Sequence, residues 1–243
     1  MESHIIPRAC FRGLKRKSGQ LIKSDYLEGS SLEVTNSDPK EPLLCHRCEQ
    51  FLSSSYEQYG TRLFKNPKGV VKKEDSIEFS NFEYERFYLY LLSILWRASV
   101  SKLPEFSEVD LPSELANILR SCIEAESPKI NDNLSIDDFF RVSVYRLIDS
   151  TNTLEDKVIK GLLTTFIQTT NEKDETVYYF TVDGFLIKYV FTVGANENDV
   201  KTSKNHGQLE KDSTVNMLKA EITDFPELVE MIRNLTRKVK SRA

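Results

Sequence analysis

The chain has 243 residues, of which 40% are apolar and 29% charged, with only nine Gly and eight Pro; this excludes a fibrous repeat and a disordered polar chain, and allows one large domain or two small ones. The formal net charge of −4 hides an uneven distribution along the chain. The most apolar stretch, Phe87 to Val100, is broken by Ser93, Arg97 and Ser99 and falls short of the roughly 20 residues that span a bilayer. The start, Met1-Glu2-Ser3-His4-Ile5-Ile6-Pro7, lacks the basic and then apolar segments of a secretory signal. A cytoplasmic protein with no membrane association is expected.

Taken in chain order, residues 1–80 are rich in Ser, Lys and turn formers, with a short apolar-polar pattern near Phe51 to Phe64. This predicts a loop-rich module with a thin core, where a bound metal adds most to folding. Its first 24 residues carry Arg8, Arg12, Lys15, Arg16, Lys17 and Lys23 against the single acid Glu2, a segment suited to a polyanion or to plain solvation. Further basic clusters follow at Lys65, Lys68, Lys72 and Lys73, and at Arg233, Arg237, Lys238, Lys240 and Arg242.

From Asn81, a possible N-cap, Phe87, Tyr88, Leu91, Leu92, Leu95 and Ala98 recur at helical spacing and predict a long buried helix. Trp96 in this run is expected to pack in the core, and Arg97 to satisfy a carboxylate such as Glu49 or Glu57. Ser113 opens a second helix through Cys122. Strands are predicted at Val142 to Ile148 and Thr164 to Thr169, and a hairpin at Val177 to Thr181 and Phe185 to Val193, turning at Val182-Asp183-Gly184. Residues 195–213 are almost wholly polar and predict a mobile loop, in which His206 is expected to be inert. A strand over Val215 to Ile222 and a helix capped by Asp224 end the chain; the basic end of that helix suits its dipole. The fold class is α+β. A module over residues 1–80 is followed by a scaffold domain over 81–243 with helices, a small antiparallel sheet and a C-terminal helix.

Four cysteines, Cys10, Cys45, Cys48 and Cys122, are too few and too unevenly spaced for a disulfide framework. The strongest local signal is Leu44-Cys45-His46-Arg47-Cys48-Glu49, since two thiolates at C-x-x-C spacing can chelate one borderline cation such as zinc. One knuckle supplies two of about four ligands; His4, Cys10, His46 and Glu49, or a second subunit, are the candidates to complete the set. A redox use of the pair would place it between a strand and a helix in a βαβ pattern, which the sequence does not show. Two reduced cysteines packed beside a small apolar cluster are the plainest alternative. His4, beside Ile5, Ile6 and Pro7, is placed to act as a general base on water near a bound cation. Glu49 and Glu57, eight apart, are expected on one side of a helix that begins near the knuckle.

In the order Ser3-His4-Ile5-Ile6-Pro7, Asn36, Leu44-Cys45-His46-Arg47-Cys48-Glu49, the chain resembles the HNH nucleases and their treble-clef-like relatives. Over about residues 3–100, with Tyr56-Glu57 and Trp96-Arg97 included, it is similar to a group of uncharacterised bacterial proteins. The resemblance implies a treble-clef-like module at residues 1–80 with His4 as general base, Asn36 as a positioning residue and Glu49 as a ligand for magnesium or manganese, beside structural zinc at Cys45 and Cys48. It departs from the nuclease pattern at Ser3, where an acidic or His ligand is usual, and in lacking an upstream C-x-x-C. The function it implies is an HNH-like metal-dependent endonuclease acting on DNA or RNA, or a degenerate derivative, in a bacterial defence or mobile-element system. The alternative is a non-catalytic adaptor that binds nucleic acid or a partner protein. Arg8, Arg12, Lys15, Arg16 and Lys17 are the expected backbone-binding residues in either case.

Overall fold

The structure, a computed structural model, describes residues 2–11, 21–23, 33–35, 38–65, 68–192 and 208–240. Its centre is a seven-stranded sheet. Strands β5 (Val70–Lys72), β6 (Ser76–Ser80), β9 (Phe140–Ile148), β10 (Ile167–Thr170), β11 (Thr176–Val182), β12 (Phe185–Phe191) and β13 (Thr214–Glu221) lie in the order β10-β11-β12-β9-β13-β6-β5. Every neighbouring pair is antiparallel except β13 with β9. The sheet is therefore larger than the small antiparallel one expected, and it crosses the boundary placed at residue 80, because β6 pairs with β13 and β5 with β6.

Both faces of the sheet are covered, which explains why β9, β11 and β12 read as near-continuous apolar runs instead of alternating ones. Tyr178, Phe180, Ile187 and Tyr189 face one core, shared with the helix α4 (Tyr84–Val100). Val177, Tyr179, Leu186 and Val190 face a second core, closed by Ile159 of α6 (Asp156–Lys160) and Leu228 of α7 (Pro226–Lys240). Two buried tyrosines join the layers through their hydroxyls: Tyr189 donates to the Leu91 carbonyl at 2.9 Å and Tyr88 to that of Phe140 at 2.7 Å. The β11–β12 turn is two residues long, with φ of 50° at Asp183 and 80° at Gly184, the paired left-handed geometry that Asp-Gly favours. Besides the strand pair that holds the N-terminus, two short antiparallel strand pairs lie outside this sheet: β2 (Leu21–Lys23) with β3 (Glu33–Thr35), within the N-terminal segment, and β7 (Lys129–Asn131) with β8 (Leu134–Ser135). The second precedes β9, after the helix α5 (Ser113–Glu124).

Asn81 does not cap α4. It takes a positive φ of 56° at the reversal after β6, and α4 begins three residues later; Asn tolerates that conformation because its side chain bonds locally. Of the loop expected at 195–213, residues up to 207 lie outside the described set, while Leu209 is buried and its N–H donates to the Val142 carbonyl at 2.9 Å.

The N-terminal segment packs against α4. Strand β1 (Glu2–His4) pairs antiparallel with β4 (Lys40–Pro42), His4 opposite Lys40, and is followed by a one-turn helix α1 (Arg8–Phe11). Glu41 accepts hydrogen bonds from Ser101 Oγ (2.5 Å) and Lys102 N–H (3.0 Å), which ties β4 to the end of α4. From His46 the chain runs helically to Lys65 as α2 (His46–Leu52), a π-helical turn over Ser53–Glu57 and α3 (Gln58–Lys65). The wider turn frees carbonyls, as such insertions do. Arg86 of α4 meets them, donating from Nε to Ser55 O at 2.6 Å and from Nη2 to Ser54 O at 3.2 Å. Within the same turn Tyr56, 1% exposed, donates to the Ile123 carbonyl at 2.6 Å. Tyr56→Phe leaves that carbonyl short of a donor while preserving the ring, and is expected to lower stability by about 1 kcal/mol in chemical denaturation.

No helix among the described residues is long and apolar enough to cross a membrane.

Candidate functional site

The β1–β4 pairing decides what meets His4. Because His4 stands opposite Lys40, the chain just before Lys40 comes alongside, and His4 Nε2 lies 3.6 Å from Asp38 Oδ2. The imidazole is 22% exposed and the Asp38 side chain 5%. Burial pushes the His4 pKa down from its ordinary value; the Asp38 carboxylate works against that shift, Arg8 and Lys40 add to it, and Glu49 opposes it. The outcome is an imidazole whose neutral form is favoured, partly open to solvent, with Nε2 facing a buried carboxylate. This is the state a general base requires.

The backbone of His4 is held as firmly as its ring. Arg97, 1% exposed, donates from Nη1 to the His4 carbonyl and to Glu57 Oε1, both at 2.8 Å, and from Nε to Ser93 O at 3.1 Å. Arg97 thus takes Glu57, one of the two carboxylates expected for it. A buried guanidinium demands such partners, because losing them leaves a charge out of water and uncompensated. Ser3, fully buried, accepts the Leu44 N–H on its Oγ at 3.0 Å. It therefore fastens β1 to the start of the knuckle.

Arg8 connects this pair to a groove of about 490 Å³ lined by Arg8, Ser53, Glu57, Thr61, Arg62 and Lys65 among others. Ser53, Glu57, Thr61 and Lys65 recur every four residues along one helical face. Three cations border the groove, balanced by Glu57, which Arg97 already engages, while Lys65 also lies 3.5 Å from Asp183. A wider cleft of about 800 Å³ beside the π-helical turn is poorer in chemistry. Glu83, Glu85, Glu126 and Asp212 there outnumber Arg86 and Lys211, so a polyanion is repelled.

The knuckle stands apart as a solvent-facing feature. Cys45 is the N-cap of α2 and Cys48 lies in its first turn, both exposed, with their sulfurs 3.3 Å apart. Cys45 Sγ also accepts the Cys48 N–H at 3.4 Å. That amide bond, then the Cys48 thiol, lowers the Cys45 pKa, while the same thiol contact raises that of Cys48. His46 is exposed in the first turn of α2, beside the pair. Cys10 is 2% exposed, and burial pushes its pKa up to about 12, with Asp183 adding to the rise. It remains a protonated thiol in the core, and the groups that act on it are Asp183, Tyr90, Lys65 and Glu57, with neither knuckle cysteine among them.

Among the described residues no three His, Cys, Asp or Glu side chains converge as a metal site. Among the described residues, zinc would find two sulfurs at the knuckle and no third ligand converging on them. For magnesium or manganese, the buried Glu49 Oε1 has no hydrogen-bond partner, the kind of orphaned oxygen a cation would satisfy, yet it too lacks a converging set. The residues described do not fit either ion. Asn36, Arg12, Lys15, Arg16 and Lys17 lie outside the described residues.

The structure thus brings together His4, Glu57, Arg97 and Arg8 from the expected set, keeps Glu49 close enough to act on His4's charge, and places Cys10 elsewhere. Asp38 was missed by sequence reasoning, and no local pattern marks it: its relation to His4 exists only through the pairing of β1 and β4. No family model, curated protein or solved structure matches the chain.

Proposed function

We propose that residues 1–80 carry an HNH-like, treble-clef-like phosphodiesterase site acting on nucleic acid, with His4 as the general base. The observation that carries this reading is a partly buried imidazole facing a buried carboxylate and within electrostatic reach of Arg8, which lines a groove bordered by three cations. With Nε2 carrying its proton toward Asp38, the other ring nitrogen, Nδ1, would take a proton from the attacking water as the water oxygen bonds to phosphorus, the P–O bond of the leaving nucleotide breaks, and the leaving oxygen takes a proton from solvent. Asp38 orients the ring and offsets the imidazolium charge that forms. Arg97 is a positioning residue, holding the His4 carbonyl. Arg8, Arg62 and Lys65 contribute electrostatic attraction for backbone phosphates.

The test is incubation of the full chain with single- and double-stranded DNA and RNA, with magnesium, with manganese and with chelator. Cleavage in any arm supports the site; intact substrates throughout overturn catalysis. A second reading, phosphate binding without cleavage, is favoured by two observations: no three metal-ligating side chains converge among the described residues, and Ser3 is committed to the Leu44 amide. Its signature is binding that weakens steeply with salt. If Arg8, Arg62 and Lys65 each neutralise one phosphate, replacing any one by alanine lowers the slope of log affinity against log salt by about one. Slopes unchanged in all three variants would remove the groove from the binding path.

A further inference from the structure

The phosphodiester reading leaves Cys45 and Cys48 without a role, although they are the chain's two exposed thiols among its four cysteines. Their setting is specific. The pair follows β4 and opens the helical run from His46 to Lys65, so it does lie between a strand and a helix, though β4 belongs to a two-stranded antiparallel ribbon and not to a βαβ unit. The sulfurs are in van der Waals contact at 3.3 Å, so forming a bond of about 2.05 Å moves them by little more than an ångström. The two sulfurs are not equivalent. Cys45 Sγ caps the helix and accepts the Cys48 N–H, which favours negative charge on Cys45 and leaves Cys48 as the proton-bearing partner. No third metal ligand among the described residues competes for them.

We propose that Cys45 and Cys48 form a dithiol–disulfide exchange site for small disulfides of the glutathione class. The Cys45 thiolate attacks one sulfur of the small disulfide; an S–S bond to Cys45 forms, the original S–S bond breaks, and one small thiolate leaves and takes up a proton. Cys48 then gives its proton to solvent and attacks Cys45 Sγ, forming the Cys45–Cys48 bond and expelling the second small thiol. Two protein thiols are oxidised and one small disulfide is reduced to two thiols. Cys10 and Cys122, both 2% exposed, take no part and serve as internal controls.

The experiment exposes the full chain, as purified, to graded ratios of glutathione and glutathione disulfide, then acid-quenches it and maps thiols by mass spectrometry. A Cys45–Cys48 disulfide that titrates with the ratio is expected, with Cys10 and Cys122 reduced. The single variants report the order of attack: Cys48→Ser should accumulate glutathione on Cys45 about tenfold faster than Cys45→Ser accumulates it on Cys48, following thiolate availability and access. Three results overturn the proposal: both thiols staying reduced at every ratio, equal trapping in the two variants, or reaction only after a chelator has stripped zinc, which would make the pair metal ligands. None of these readouts depends on nucleic acid, so this site and the phosphodiesterase site stand or fall separately.

Discussion

Replacing His4 by alanine is expected to lower the rate of phosphodiester cleavage by about a hundredfold to ten-thousandfold, the range over which a positioned general base contributes. The variant should remain folded, because the imidazole is partly exposed and the bond that anchors the segment, Arg97 Nη1 to the His4 carbonyl, is made by the backbone. The pH profile separates a base from a structural residue. Burial depresses the His4 pKa, so the active, neutral form is already dominant at the ordinary value of about 6.5, and the acid limb of the rate should lie below it. Asp38 raises this pKa and Arg8 lowers it. Asp38→Asn should therefore move the limb further to acid, while also reducing the plateau through loss of ring orientation; Arg8→Ala should move it toward neutrality. Opposite shifts in the two variants identify His4 as the titrating base, and a limb that ignores both removes it from that role. The same depressed pKa makes folding pH-dependent in a definite direction. The unfolded chain binds the His4 proton first, so this contribution to stability is present above about pH 6.5 and is lost as pH falls through the folded value.

The largest effect on stability is expected at Gly60. A Cβ added there would overlap the Tyr90 ring atoms Cγ, Cδ1 and Cε1, and Tyr90 is fully buried in the core. The ring has little room to yield, since Phe64 and Phe87 lie against it with centroids 6.4 Å and 6.0 Å away. Overpacking of this kind costs about 1–3 kcal/mol when neighbours can adjust; Gly60→Ala should reach the upper end, and Gly60→Val exceed it. The gain in helix propensity from removing a glycine, about 1 kcal/mol, has the opposite sign and is smaller. Urea unfolding measures the balance: a midpoint equal to or above that of the parent chain would show that α3 can step away from α4. Gly60→Ala with Tyr90→Phe should not restore stability, because the ring and not the hydroxyl is in the way.

Much of the scaffold was legible because its signals are local. The Asp183-Gly184 turn, the flanking apolar runs and the periodic stretch of α4 are each contained within a short window, and the structure realises them with small shifts at the ends. The N-terminal site was legible only in part. His4 and the Arg97–Glu57 pair carry their chemistry in their own side chains, so they could be named. Asp38 could not, because its importance arises from strand register between β1 and β4 and from burial, neither of which the sequence Ser-Asp-Pro announces. Asn81 was misassigned for a related reason: Asn serves both as a helix cap and as a left-handed reversal, and the choice between them is made by the β6 pairing it must leave. The parallel contact of β13 with β9, and the addition of β6 and β5 beyond it, bring together segments too distant in sequence for any period to connect.

The π-helical turn also makes this helix sensitive to length in a way an ordinary one is not. It holds an extra residue whose surplus carbonyls Arg86 has taken up, so removing any one residue from Ser53–Glu57 would restore a regular α-helix at no local cost in backbone bonding. The cost would fall elsewhere. Each residue subtends about 100° of helical rotation, so a single deletion would swing Thr61, Arg62 and Lys65 around the axis relative to Cys45, Cys48 and Glu49, and carry Gly60 away from Tyr90. In evolutionary drift, the exposed positions of this helix are negotiable one side chain at a time, whereas a one-codon loss within those five positions would break the groove and the core together.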